Sequence, residues 1–103
     1  MKQDEIDWLG GHVAFWDLSE LDDTVAVATQ IECLKEDLVQ VRYRDCMLDV
    51  GWYPSFVLDG AFLVKVVSLD WERTIFEERV TELAELKPSM QRAARIASDE
   101  CGQ

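Results

Sequence analysis

The stretch that decides the fold is AFLVKVVS, residues 61–68. Its side chains alternate between two mainly apolar sets: Phe62, Val64 and Val66 against Leu63, Lys65 and Val67. This period of two predicts a β-strand with neighbours on both sides, and its apolar character makes it the best candidate for a central strand. The preceding Asp59-Gly60 pair is typical of a turn, because glycine tolerates positive φ.

Strand-like segments lie on both sides of this stretch, at residues 12–16, 38–43, 47–53 and 74–80. Pro54 ends the third of them, since proline has no backbone N–H to donate to a β-ladder. The last segment carries several charges, which are typical of an edge strand because they deter pairing with other chains. Together these segments predict an antiparallel sheet of four or five strands.

The C-terminal segment changes to a helical period. Its apolar residues recur at steps of three and four: Leu83, Leu86, Met90, Ala93, Ala94 and Ala97. This stripe predicts an amphipathic helix packed on the sheet, with Thr81 as its N-cap. Pro88 predicts a kink or a short break in that helix, because a proline removes one backbone hydrogen bond.

Residues 22–34 permit two interpretations. Ser19 and Asp22 resemble a capping box, and Val27, Ile31 and Leu34 would share one side of a helix. The alternating β-branched residues at 24–29 are also compatible with a strand. We favour the helix, which makes the chain a single α+β domain over residues 1–103, with helices packed on one antiparallel sheet.

Composition excludes several functional classes. A hydrophobic content of 49% with four tryptophans argues against a disordered acidic tail, and a net charge of −11 argues against a nucleic-acid-binding face. Uninterrupted apolar runs reach only four residues, whereas a membrane span needs about 20. The N-terminus lacks the pattern of a signal peptide. We therefore expect a soluble cytoplasmic protein with three reduced thiols, Cys33, Cys46 and Cys101.

Motifs for catalysis or cofactor binding are missing from the sequence. There is no nucleophile elbow, phosphate-binding loop or dinucleotide fingerprint, and the presence of a single histidine, His12, argues against a histidine-based zinc site. A dyad of His12 with a cysteine has no local signature. We expect neither enzymatic activity nor a cofactor or metal.

The negative charge is concentrated in the first third of the chain. Residues 1–37 hold ten acidic and two basic residues, a net charge of −8, whereas residues 38–103 have a net charge of −3. Clustered charge speeds association with an oppositely charged protein. The clustering yields seven candidate partner-binding residues: Asp17, Glu20, Asp22, Asp23, Glu32, Glu36 and Asp37. Trp16, an aromatic residue beside these acids, is the eighth candidate.

Three parts of the sequence resemble small bacterial immunity proteins of contact-dependent inhibition and related polymorphic toxin systems. They are LKEDLVQV at residues 34–41, LDVGWYP at residues 48–54, and GAFLVKVV at residues 60–67 followed by Trp71. The likeness extends over residues 34–97. It implies a cytoplasmic, non-catalytic protein that binds a cognate toxin domain, often a nuclease, and occludes it.

The toxin-contacting residues of such proteins vary between members, so the resemblance assigns no binding residue. On this interpretation the partner is a basic toxin domain, with no direct binding to nucleic acid or membrane, and the chain is a monomer or a weak homo-oligomer. The alternatives are a non-catalytic structural or regulatory subunit of an oligomer and an acidic inhibitor that mimics nucleic acid.

Overall fold

The alternating stretch at residues 61–68 forms strand β4 (Ala61–Ser68) in the computed structural model, which describes residues 1–102. The other strands are β1 (His12–Trp16), β2 (Val39–Arg42), β3 (Cys46–Tyr53) and β5 (Thr74–Val80). They form one sheet in the order β1-β2-β3-β4-β5, with every neighbouring pair antiparallel. The predicted antiparallel sheet is confirmed, with β4 paired on both sides and β5 at an edge.

Helix α1 (Leu83–Cys101) packs against β3, β4 and β5 on one face of this sheet, so the α+β class is confirmed. Every residue of the predicted apolar stripe is buried. Of the predicted kink or short break at Pro88, the break is absent: the helix is continuous through Pro88, because packing of the stripe on either side outweighs one lost hydrogen bond. Thr81 is not its N-cap, since the helix begins after Glu82. No helix within residues 1–102 is long and apolar enough to cross a membrane.

The core lies between α1 and the inner face of the sheet. That face carries the apolar residues of alternate strand positions, among them Leu48, Val50 and Trp52 of β3. The rings of Trp52 and Phe62 meet edge to face with centroids 4.9 Å apart. Packing of this kind contributes more than area burial alone, because the edge of one ring is electropositive and the face of the other electronegative.

The predicted helix at residues 22–34 is wrong. The segment between β1 and β2 contains only two short 3₁₀ turns, Val27–Thr29 and Ile31–Cys33. Asp22 accepts hydrogen bonds from the backbone N–H and the hydroxyl of Thr24 through its own carboxylate. Such local side-chain bonds compete with helix formation, and the β-branched residues that follow also disfavour a helix.

The expectation of three reduced thiols is also wrong for this structure. Cys46, at the start of β3, and Cys101, at the end of α1, are joined in a disulfide across a sequence separation of 55 residues. Their Cα atoms lie 5.8 Å apart, within the normal range for a disulfide. Cys33 is the one free cysteine among the described residues. The disulfide therefore ties the end of the helix to the sheet.

Candidate functional site

The acidic connection, residues 17–38, is anchored at both ends and along its length. The backbone N–H of Asp17 donates to the carbonyl of Leu38 at 2.7 Å, which closes the segment at its base. The Gln30 side chain accepts from the N–H of Asp22 at 2.7 Å and donates to the Asp22 carbonyl at 2.8 Å. Four leucines of the connection are buried in the core: Leu18, Leu21, Leu34 and Leu38. The acidic side chains thus project from an ordered backbone.

Three of the candidate carboxylates are engaged within the chain. Asp17 forms an ion pair with Lys35 at 2.8 Å, and Asp23 forms one with Lys87 of α1 at 3.0 Å. The hydrogen bonds that Thr24 donates to Asp22 lower the pKa of that carboxyl below its usual value. Asp17 and Asp23 are therefore each paired with a lysine, and Asp22 is engaged by local hydrogen bonds.

The other four candidate carboxylates, Glu20, Glu32, Glu36 and Asp37, are exposed and form no ion pair within residues 1–102. Trp16 is half-buried against the core, with its indole N–H donating to the carbonyl of Met1 at 3.3 Å. The four carboxylates are therefore the candidate residues that remain available to a basic partner.

A cleft of about 300 Å³ lies on the acidic connection between Asp17, Glu20, Glu32, Cys33 and Lys35. Burial and then the charge of Glu32 raise the pKa of the Cys33 thiol. A thiol that keeps its proton is a weak nucleophile. His12 begins β1, whereas Cys33 lies in the connection that follows the other end of this strand. The cleft thus has no histidine base beside its thiol.

The loop between β3 and β4 contains a feature that sequence reasoning missed. Three consecutive apolar residues of this loop, Phe56, Val57 and Leu58, have exposed side chains. The missed signal was an uninterrupted FVL triplet between Pro54 and the Asp59-Gly60 turn, where polar residues are more usual. We call this triplet the apolar tip.

The apolar tip is attached to the acidic connection through the backbone. The N–H of Phe56 donates to the carbonyl of Leu34 at 2.6 Å, and the N–H of Trp52 donates to the carbonyl of Lys35 at 2.7 Å. Gly51 allows this approach, since a Cβ atom there would lie 1.8 Å from the carbonyl oxygen of Glu36. Apolar and acidic side chains therefore share one end of the sheet.

A second group of charges lies on the sheet face opposite α1. Cross-strand pairing aligns one residue from each strand in a single row: Phe15, Gln40, Asp49, Lys65 and Glu77. Asp49 is only 4% exposed, and burial raises the pKa of its carboxyl. Lys65 lies 3.9 Å from Glu77, and its ammonium is 5.6 Å from the centre of the Tyr53 ring. The row thus sets one lysine between two carboxylates, and among the described residues that lysine is ion-paired with Glu77 and not with the buried Asp49.

Within residues 1–102, no three histidine, cysteine, aspartate or glutamate side chains are grouped so that they could hold a metal ion. Comparison with known proteins finds no family model, no curated protein and no solved structure that matches this chain.

Proposed function

We propose that this chain is an immunity protein that binds a basic toxin domain and neutralises it by occlusion. The observation that carries the proposal is the set of four exposed, unpaired carboxylates on the hydrogen-bonded acidic connection: Glu20, Glu32, Glu36 and Asp37. The resemblance over residues 34–97 supports the same assignment. The chain acts without catalysis, and the toxin domain is a nuclease whose basic groove otherwise binds phosphate.

Electrostatics explains why such a surface favours a basic partner. A net charge of −11 on 103 residues destabilises the folded state by self-repulsion. A basic partner relieves that repulsion and is drawn to the surface at long range, which raises the association rate. The acidic connection is held in place by the hydrogen bonds of Gln30 and by the buried leucines of the connection. Little conformational entropy is therefore lost when the partner binds.

The test uses the C-terminal domain of the protein encoded immediately upstream of this chain's gene. Purified chain and purified domain are mixed, and binding is followed by stopped-flow fluorescence and calorimetry. We expect nanomolar or tighter affinity, loss of the domain's nuclease activity in the complex, and an association rate that falls as salt is added. Failure to form a complex at micromolar concentrations would overturn the proposal.

A matched pair of variants separates available charges from engaged ones. Glu36→Gln with Asp37→Asn removes two unpaired carboxylates, whereas Asp22→Asn with Asp23→Asn removes two that are engaged internally. Both changes alter the net charge equally. We expect the first pair to slow association at low salt more than the second. Equal slowing would show that only total charge matters.

A further inference from the structure

The apolar tip exposes large hydrophobic side chains on a strongly acidic protein. Phe56 is 54% exposed, and Val57 and Leu58 are exposed beside it. Contiguous apolar side chains at a surface keep water ordered and are a common mark of a protein contact site when polar residues surround them. The tip is therefore a candidate protein contact site, and the charges around it indicate the kind of partner that it would bind.

Hydrogen bonds hold the apolar tip in place. The indole N–H of Trp52, which is buried in the core, donates to the carbonyl of Val57 at 2.7 Å. The N–H of Phe56 donates to the carbonyl of Leu34 at 2.6 Å, so the tip is fixed from two sides. A surface held in one conformation before binding loses less entropy in the complex than a mobile loop does.

Negative charges lie next to the apolar tip. Glu36 and Asp37 are exposed on the segment to which the tip is bonded, and Asp59 follows it in the same loop. The pKa of Tyr53, the residue before Pro54, is raised mainly by burial and then by the charge of Asp49. The charges of Asp37 and Glu36 raise it further. The surface thus combines an apolar centre with an acidic rim, the arrangement of a protein–protein interface.

We propose that the apolar tip, with Glu36 and Asp37 at its rim, is the surface that docks the basic toxin domain. This inference rests on the proposed function and adds the location of the contact. The complementary face has an apolar pocket for Phe56 and lysine or arginine side chains around it. A second copy of this chain and an anionic membrane both fit less well, because each would place negative charge against Glu36 and Asp37.

Two loops at opposite ends of β4 provide a matched test. Phe56 is 54% exposed with φ 59°, and Trp71, in the loop between β4 and β5, is 52% exposed with φ 65°. Asparagine tolerates positive φ, so Phe56→Asn and Trp71→Asn each remove an exposed aromatic ring with little backbone strain. Circular dichroism and thermal unfolding serve as the control that both variants are folded.

With the toxin domain encoded upstream as the probe, we expect Phe56→Asn to weaken binding by about tenfold or more, mainly through faster dissociation. Trp71→Asn should leave affinity within about twofold, because surface positions outside the contact contribute little. Leu58→Ser is the second variant and should weaken binding in the same direction. Hydrogen exchange on the wild-type complex should show protection at residues 34–37 and 56–58.

The outcomes separate the two proposals. If wild-type chain forms no complex with the domain, both the proposed function and this surface are wrong. If a complex forms but Phe56→Asn and Leu58→Ser bind as tightly as wild type, or if only Trp71→Asn weakens binding, the surface alone is wrong. A free chain that dimerises at micromolar concentrations and dissociates on Phe56→Asn would assign the tip to self-association and overturn this inference.

Discussion

The two ends of the sheet are held together in different ways. At the acidic end, the acidic connection and the loop between β3 and β4 are joined by backbone hydrogen bonds to Leu34 and Lys35 and by buried leucines. At the disulfide end, Cys46 and Cys101 connect β3 and α1 covalently. One end therefore depends on close noncovalent approach of two loops, and the other on one covalent bond.

The comparison shows that exposure alone does not identify a binding surface. Each end exposes one aromatic ring at positive φ, Phe56 or Trp71, to nearly the same extent. Trp71 lies in a tight turn in which Ser68 donates to Asp70 at 2.6 Å. Acidic side chains are near both rings, since Asp70 and Glu72 flank Trp71 and the backbone of Phe56 is bonded to the segment that carries Glu36 and Asp37. What differs is that Phe56 is followed directly by two exposed apolar residues, Val57 and Leu58, whereas Trp71 lies between two acidic residues that Arg73 follows.

The largest effect is expected at the disulfide end. Replacing both Cys46 and Cys101 with alanine should lower the free energy of unfolding by about 4 kcal/mol, because the bond restricts the unfolded chain across 55 residues. Urea unfolding measured for the variant and for wild type, each with and without dithiothreitol, gives this difference.

Cys33→Ala is the control, since this cysteine is not in the disulfide. Its free energy of unfolding should remain sensitive to dithiothreitol, whereas that of the double variant should not. If reductant leaves the stability of wild type unchanged, the disulfide does not form in solution and the two ends are both held without covalent bonds.

The next largest effect is expected at the acidic end. Gly51→Ala places a Cβ atom 1.8 Å from the backbone oxygen of Glu36, so the acidic connection must move away from β3. We expect a loss of about 3 kcal/mol in the free energy of unfolding, at the upper end of the range for overpacking. Hydrogen exchange should also accelerate at the Trp52 amide, which is bonded to Lys35.

Gly11→Ala provides the comparison for that variant. Its Cβ atom would lie 2.5 Å from Cζ of Tyr43, a side-chain atom rather than backbone. Side chains adjust more readily than a hydrogen-bonded backbone, so Gly11→Ala should destabilise the protein less than Gly51→Ala does. The reverse order would mean that the contact between β3 and the acidic connection is loose.

The regular elements were predictable from the sequence, and the contacts between loops were not. Period-two and helical patterns predicted β4, β5 and the buried stripe of α1 because each pattern lies within one segment. The acidic connection depends on distant partners, such as the bond between Phe56 and Leu34, which leave no local pattern. The Cys46–Cys101 pair likewise has no sequence signal at a separation of 55 residues.

The candidate site was also predictable from the sequence only in part. Clustering of charge selected residues that lie on one connection, but charge alone does not reveal which carboxylates are paired. Asp23 is compensated by Lys87, a residue of α1 far along the chain. The FVL triplet of the apolar tip was a local signal, because three consecutive apolar residues are unusual in a loop, but the exposure of its side chains depends on how the loop packs.

A smaller effect is expected for Tyr43, which directly follows β2 and is hydrogen-bonded to the N-terminal segment. Its hydroxyl donates to the carbonyl of Trp8 at 2.6 Å, and burial raises its pKa to about 12. Tyr43→Phe should lower the free energy of unfolding by about 1 kcal/mol at pH 7, the typical net value of one hydrogen bond.

The pH dependence of that variant gives a second readout. The folded state holds the Tyr43 proton more tightly than the unfolded state, so wild type loses stability as the pH rises from about 10 towards about 12. Tyr43→Phe should lose less stability over this interval. Equal alkaline losses in the two proteins would show that Tyr43 ionises as freely in the folded state as in the unfolded one.

The smallest change in the free energy of unfolding is expected for two aspartates in different surroundings, Asp49 and Asp70. The changes at these two positions should have opposite signs. Burial raises the pKa of Asp49, so its ionisation weakens the folded state as the pH rises from the unfolded-state pKa of 3.8 through the higher folded-state value. Asp49→Asn should therefore raise the free energy of unfolding at pH 7, and the gain should disappear at pH values well below 3.8.

Asp70, at the disulfide end, should show the opposite sign. The hydrogen bond from the Ser68 hydroxyl, and then that from the Glu72 N–H, lower the pKa of its carboxyl. Its ionised form therefore stabilises the folded state above the unfolded-state pKa of 3.8, and this contribution is lost as the pH falls through the lower folded-state pKa. Asp70→Asn should lower the free energy of unfolding at pH 7. Chemical unfolding of both variants and of wild type from pH 3 to pH 7 gives the sign of each change in the free energy of unfolding. A loss of stability for Asp49→Asn at pH 7 would show that attraction to Lys65 outweighs the burial of Asp49.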